Sequence, residues 1–241
     1  MQDWPDVAVL IPTYNRVKIL IDTIWLLEKN LHYSGKLQYF IGNDGDESIK
    51  HALDLSKLEN ETMMRVNVYD GPRVTADKPV GLGDNLNMLI DKAMTWDIDY
   101  LFQLDDDHHL VKPMDLDPHV RQLMEHEDAG WIRLMGIGSH HYTATLEGDY
   151  WYVHWDSEGP YSLYIPSNRP HLKHRRFHEF YGMYPEGLKL GQTEETFCHQ
   201  CRNVWKKCNK DAKPPSVLVP LNSNSESAWK HVGVSWQSKG E

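Results

Sequence analysis

A chain in which short apolar runs recur with helical segments between them has few ways to fold, and this one opens in that manner. Val7-Ala8-Val9-Leu10-Ile11 is apolar at every position, which suits a strand covered on both faces. Leu20, Ile24, Leu27 and Leu31 then recur at helical spacing, and Leu37 to Ile41 forms a second apolar run. The pattern continues through Arg65-Val66-Asn67-Val68-Tyr69, a helical stretch with Leu86, Leu89, Ile90 and Ala93 on one side, and Tyr100-Leu101-Phe102-Gln103-Leu104. It predicts an α/β fold with a mostly parallel sheet flanked by helices. Asp117-Pro118, a cap followed by proline in the first turn, starts a further helix through about Glu125.

After Ile137 the regularity fails. Tyr150-Trp151-Tyr152-Val153-His154-Trp155 alternates like a hairpin strand, and Ser167 to Phe180 reads as a basic loop. A helix returns at about Thr193, with Phe197, Cys201, Val204 and Cys208 on one stripe. A length of 241 residues suits one domain, expected over 1–241, with an irregular C-terminal region. No apolar run approaches the roughly 20 residues of a membrane span. The first six residues carry no basic cluster, so a signal peptide is not expected and cytoplasmic residence is the default. Three cysteines fit reduced thiols better than a disulfide framework. A net charge of −10 argues against non-specific binding to a nucleic-acid backbone.

In a parallel α/β sheet, ligands sit beyond the carboxyl ends of the strands. Those ends are unusually polar here: Pro12-Thr13-Tyr14-Asn15-Arg16, Asn43-Asp44-Gly45-Asp46, Asp70-Gly71, and Asp105-Asp106-Asp107-His108-His109. Clustered carboxylates repel one another unless a cation or proton compensates them, and hard oxygen ligands suit Mg²⁺ or Mn²⁺. One such turn alone is as readily a solvated acidic loop. Several on one predicted edge point to a nucleotide site.

These residues resemble the family-2-type glycosyltransferases with the GT-A fold. Val7 to Arg16 resembles the opening strand and nucleotide loop of that family, and Asn43-Asp44-Gly45-Asp46 resembles its Asp-Asp-Gly-Ser turn. Gly81-Leu82-Gly83 through Asn87 resembles its glycine-to-asparagine segment, and Asp105-Asp106-Asp107 its Asp-any-Asp signature. The resemblance implies a nucleotide-sugar-binding half over about 1–137 and an acceptor-binding half over about 138–241. Asp107 would hold the divalent ion, with Asp105 near the ribose or the metal and Asp106 beside them. Tyr14 would pack on the base, while Pro12, Thr13 and Arg16 would line the nucleotide and phosphate pocket, with Gly83 and Asn87 also on the donor side. Asn43 stands where the family has an acid, so the base contact falls to Asn43 or to Asp44, unless Asp44 is simply a turn residue.

In the second half, Gly191-Gln192-Thr193-Glu194-Glu195 resembles the acidic pair that starts the active-site helix of that family. Glu195 would be the general base for an acceptor hydroxyl and Glu194 the alternative; the competing reading is two acids favouring a helix N-terminus. The segment around His231 resembles the C-terminal element that closes the metal site, so His231 is a candidate third ligand, or else a histidine packed beside Trp229 and Trp236. Cys198, Cys201 and Cys208 are better read as buried thiols than as a zinc site. His171 to Arg176 would serve a phosphate-bearing donor, an acidic acceptor or a solvated loop. Trp151, Tyr152 and Trp155 stack on a sugar or fill the core. The expected function is metal-dependent transfer from a nucleotide-sugar donor to an acceptor hydroxyl with inversion, the acceptor being a glycan, a small molecule or modified nucleic acid. The rivals are a retaining enzyme on the same fold, a non-catalytic nucleotide-sugar or carbohydrate-binding protein, and a nucleotidyltransferase. The last should carry a glycine-rich basic triphosphate loop near the first strand, and none is seen.

Overall fold

A computed structural model describes residues 3–45, 65–71, 81–135, 143–156, 165–188, 191–208, 213–221 and 228–233. In chain order the first half contains β1 (Val7–Thr13), α1 (Val17–Asn30), β2 (Leu31–His32), β3 (Leu37–Asn43), β4 (Arg65–Asp70), α2 (Leu82–Thr95), β5 (Tyr100–Gln103), β6 (His108–Leu110), β7 (Met114–Asp115), α3 (Asp117–Glu125) and β8 (Ala129–Arg133). The second contains β9 (Ala144–Glu147), β10 (Tyr150–Val153), β11 (His171–His174), α4 (Arg176–Tyr181), α5 (Gln192–Lys207), β12 (Ser216–Pro220) and β13 (Trp229–His231).

One nine-stranded sheet, ordered β4-β3-β1-β5-β11-β8-β12-β10-β9, runs through both halves. The strands β4, β3, β1 and β5 are parallel, as their apolar runs predict. Antiparallel pairing begins at β11, which lies between β5 and β8. Strand alternation divides the core in two. Val7, Val9 and Ile11 face a layer with Leu20, Ile24 and Leu27 of α1 and with Val120 and Leu123 of α3. Ala8 and Leu10 face Leu86, Leu89, Ile90 and Ala93 of α2, together with Phe177 of α4 and Phe197 of α5.

The second half is more regular than its sequence pattern predicts. The basic stretch read as a loop is the central strand β11 followed by α4, and Lys173 within it is fully buried. His171 and Lys173 read as polar in the sequence yet are buried between β5 and β8, so hydropathy alone hides the strand. Tyr150 to Val153 does form a hairpin strand, paired with β9. Tyr152 and Trp155 are buried in the two separate core layers, and Trp151 packs partly against the layer that holds Trp155. Leu31 falls outside α1, which ends at Asn30, and starts β2.

Candidate active site

Strand β1 has β3 on one side and β5 on the other, so the strand order reverses at its carboxyl end and opens a crevice there. The polar residues that follow β1 and β5 meet in that crevice. The Thr13 hydroxyl donates to Asp106 Oδ2 at 2.5 Å, and Arg16 Nε donates to the same oxygen at 3.1 Å. Arg16 Nη1 reaches Asp107 Oδ2 at 2.8 Å. Asp106 is fully buried, and its carbonyl accepts from the Thr23 hydroxyl, so this middle acid ties the loop after β1 to the loop after β5. Burial pushes its carboxyl up to about 6, against the stabilising bonds from Thr13 and Arg16. Partial burial of Arg16 works against its charge, but the neighbouring Asp106 and Asp107 outweigh it and keep the guanidinium charged. Tyr14 stands 54% exposed at the rim, and Pro12 is enclosed in the ladder opposite Gly42.

A second set of donors lies just beyond. One ligand atom from each of Asp107, His108 and His231 falls within 4.8 Å of the others. The backbone dictates this convergence: β13 pairs antiparallel with β6, which sets His231 directly opposite His108, and the Val232 N–H donates to the Asp107 carbonyl at 2.9 Å. His231 Nε2 lies 3.4 Å from Asp107 Oδ2, and His108 Nδ1 lies 3.4 Å from Asp107 Oδ1. A side chain at Gly233 would put its Cβ 2.2 Å from Asp107 Oδ2, so only glycine lets the C-terminal segment approach the carboxylate this closely. Burial holds His108 down at about 4, leaving a neutral imidazole with a lone pair to offer. One carboxylate and two imidazoles fit a divalent first-row ion such as Mn²⁺. The sequence reading missed His108; its position directly after the acid run was the available signal.

Asp105 lies beside this set, with Oδ1 buried and without a hydrogen-bond partner among the described residues. Burial holds its carboxyl well above the usual range, and the charges of Asp107, Glu194 and Asp106 add to the effect. Glu194 is thus the member of the acidic pair that faces the crevice. It accepts a hydrogen bond from the Asn168 N–H at 2.5 Å. Glu195, the residue singled out by resemblance, is 53% exposed on the outer side of α5, 3.9 Å from His199 one turn on.

The remaining sequence candidates sit around the crevice in supporting positions. Asn43 is buried, and its amide closes its own turn, accepting from Gly45 N at 3.1 Å and donating to Gly45 O at 3.3 Å. Burial pushes Asp44 up to about 7, with a bond from Asn85 opposing and Asp84 adding. Asp46 lies outside the described residues. Gly83 and Asn87 meet the loop before α5: a Cβ at Gly83 would come within 2.2 Å of Pro185 O, and the Asn87 amide bonds both N–H and carbonyl of Tyr184 at 2.9 Å. Cys198 and Cys201 are buried on α5 and Cys208 is half-buried at its end. No helix among the described residues is long and apolar enough to cross a membrane.

No protein-family model matches the sequence, and neither does any curated protein. Solved structures do match in shape. TarS 1–349 of S. aureus in complex with UDP-GlcNAc superposes with a TM-score of 0.63 at 13% identity, covering 90% of this chain and 56% of that one. The mannosyltransferase PcManGT of Pyrobaculum calidifontis, in complex with GDP-Man and Mn²⁺, gives a TM-score of 0.56 at 12% identity, covering 93% of this chain and 59% of that one. The chain therefore spans little more than half the length of these structures, and what it shares with them is the fold, of the GT-A type.

Proposed function

We propose that the chain is a glycosyltransferase that takes a sugar from a nucleotide-sugar donor, aided by Mn²⁺ or Mg²⁺, and passes it to an acceptor hydroxyl with inversion. The observation that carries this reading is the convergence of Asp107, His108 and His231 within 4.8 Å at the crevice where Thr13 and Arg16 also meet. A divalent ion held by those three side chains would neutralise the diphosphate of the donor as it leaves. Two imidazoles in the set, and the Mn²⁺ bound with GDP-Man in the mannosyltransferase of the same fold, favour Mn²⁺ over Mg²⁺.

The chain's own residues divide the remaining work. Arg16 supplies a fixed positive charge on the phosphate side, and the charge of Arg169 lies near enough to help depress His108. Tyr14, exposed at the rim, would cover a base. Glu194, across the crevice near Asp105, accepts the acceptor's proton as the new carbon–oxygen bond forms. Its Asn168 N–H bond fixes the carboxylate while leaving the other oxygen to take the proton. The acceptor belongs to the second half, on the Glu194 side.

Calorimetric titration of UDP and GDP, with and without Mn²⁺, tests the reading. The expected result is that Mn²⁺ tightens one nucleotide by about tenfold or more and that Asp107→Ala removes this gain with the fold intact. Equal affinity with and without Mn²⁺, in parent and variant alike, overturns it.

A further inference from the structure

Arg16 stands between two carboxylates in the crevice. Its Nη1 donates to Asp107 Oδ2 at 2.8 Å, while Nε donates to Asp106 Oδ2 at 3.1 Å and Nη2 pairs with Asp106 Oδ1. A guanidinium forked onto a carboxylate is fixed in orientation as well as in charge. Asp106 is itself a fixed anchor, since its side chain is wholly buried and also accepts from the Thr13 hydroxyl at 2.5 Å. The Arg16 side chain is 39% exposed, so its charge remains open to solvent.

Asp107 is also the carboxylate of the candidate ion site, and its two oxygens are differently placed. Oδ1 is buried with no hydrogen-bond partner among the described residues and lies 3.4 Å from His108 Nδ1, which likewise has none. Oδ2 accepts from Arg16 and lies 3.4 Å from His231 Nε2. A divalent ion drawn to these donors therefore meets a carboxylate that a cation already holds. Before any ligand arrives, Arg16 offsets the charge that would attract the ion and repels the ion directly. A bound diphosphate reverses that balance, because it brings several negative charges and its oxygens suit a guanidinium. Arg16 need not move for this to happen.

We propose that Arg16 is a resident counter-charge that keeps the site of Asp107, His108 and His231 weak for a divalent ion until a nucleoside diphosphate binds, so that ion and nucleotide enter together. The inference deepens the glycosyl-transfer reading and rests on it for the identity of the diphosphate. By linkage, whatever factor the nucleotide gains from the ion, the ion gains from the nucleotide. Arg16 enlarges that factor by penalising the ion that comes alone. A competing role, in which the Arg16 bond only orients Asp107 toward the ion, predicts the opposite sign. Removing an outer partner of that kind would weaken the ion by about 10- to 100-fold.

The test follows Mn²⁺ binding to nucleotide-free protein through the electron paramagnetic resonance signal of the free ion. Binding of UDP and GDP, with and without Mn²⁺, is measured by calorimetry. In Arg16→Gln, Mn²⁺ alone should bind about tenfold or more tighter than in the parent, and the gain that ion and nucleotide give each other should shrink by a similar factor. Adding Asp107→Ala to Arg16→Gln should abolish the tighter binding; a gain that survives lies at another site and overturns the proposal. Should the unpaired Asp106 unfold Arg16→Gln, the double variant Arg16→Gln/Asp106→Asn removes the ion pair together and keeps an acceptor for Thr13. The same tightening is expected there, because the guanidinium is the charge that touches Asp107 directly. Mn²⁺ alone bound no tighter by either variant overturns the proposal, and weaker binding in both assigns Arg16 to orienting Asp107. A parent protein that holds Mn²⁺ as tightly alone as with nucleotide overturns it as well. A parent that binds neither UDP nor GDP defeats the glycosyl-transfer reading by itself. The counter-charge is then judged on Mn²⁺ alone, and no Mn²⁺ binding by parent or variants overturns it too.

Discussion

At the scale of the residue, Glu194 and Glu195 differ by one position and by about 100° around α5, and that rotation decides their chemistry. Glu194 is drawn in against the Asn168 peptide and toward Asp105, whereas Glu195 stays in solvent beside His199. A carboxylate in water gains nothing from the fold as a base, and in the proposed reaction the one held in the crevice would take the proton of the acceptor hydroxyl. Glu194→Gln should therefore lower the transfer rate by about a hundredfold or more and leave Mn²⁺-dependent nucleotide binding unchanged. Glu195→Gln should stay within about twofold of the parent in both. Rates measured under saturating donor decide between them, and the reverse ranking would return the role to Glu195. Sequence alone selects the acidic pair, but it cannot say which member faces inward, because the helix phase is set by Phe197, Cys198 and Cys201 packing into the core.

At the scale of the element, α2 acts as the strut on which the loop before α5 is hung. Asn87 gives and receives hydrogen bonds with the Tyr184 backbone and donates to Glu186 Oε1 at 2.8 Å, while Gly83 lets Pro185 lie directly on the helix. Tyr184 in turn bonds Gln103 and Lys173. Asn87→Ala leaves the buried Tyr184 N–H and carbonyl short of partners, at a cost of about 1–3 kcal/mol. In a domain of this size that corresponds to a fall in melting temperature of several degrees, read by differential scanning calorimetry. Nucleotide binding should persist, since the Thr13, Arg16 and Asp107 contacts do not involve α2. The ribbon of β6 and β13 is the other element that makes the site. It joins residues more than a hundred positions apart in the chain, so its pairing leaves no local trace in the sequence.

At the scale of the whole molecule, burial moves the titrating groups in opposing directions. It lowers His119 and His174 to about 4 and holds His171 and His178 well below the ordinary histidine value. It raises Asp44 to about 7 and Asp106 to about 6. For each histidine the unfolded chain takes up the proton first, so stability falls as pH drops from about 6.5 toward 4. For each aspartate the folded chain holds the proton longer, so its contribution favours the fold in acid and is lost as pH rises from about 4 to about 6 or 7. His119→Gln removes one of the first kind; its bond to the Tyr150 hydroxyl, 2.8 Å in the parent, is within the reach of an amide. Between about pH 4.5 and 6 the unfolding free energy of this variant should fall less steeply with acid, by about 1.4 kcal/mol per pH unit for one proton. Denaturant titrations at several pH values check this, and parallel slopes for parent and variant would contradict it.

The sequence by itself determined the α/β class, the four parallel strands and the polar character of their carboxyl ends. Each of these is a local property: an apolar run covered on both faces needs no distant partner to be recognised, and neither does an acid cluster that follows it. The resemblance carried by those ends led to Asp107 and Arg16, and a separate resemblance of the C-terminal segment led to His231. Only the tertiary structure decided the rest. It turned a basic loop into the central strand β11, where Lys173 and Tyr184 hydrogen-bond Gln103 Oε1 across the sheet in a way that no single segment records. It brought His108 and His231 together at Asp107 by pairing β6 with β13, and it turned Glu194 inward by seating α5 on the core. It also spent Asp106 and Asn87 on holding loops together, since a buried polar group binds whichever partner the fold brings within hydrogen-bond distance.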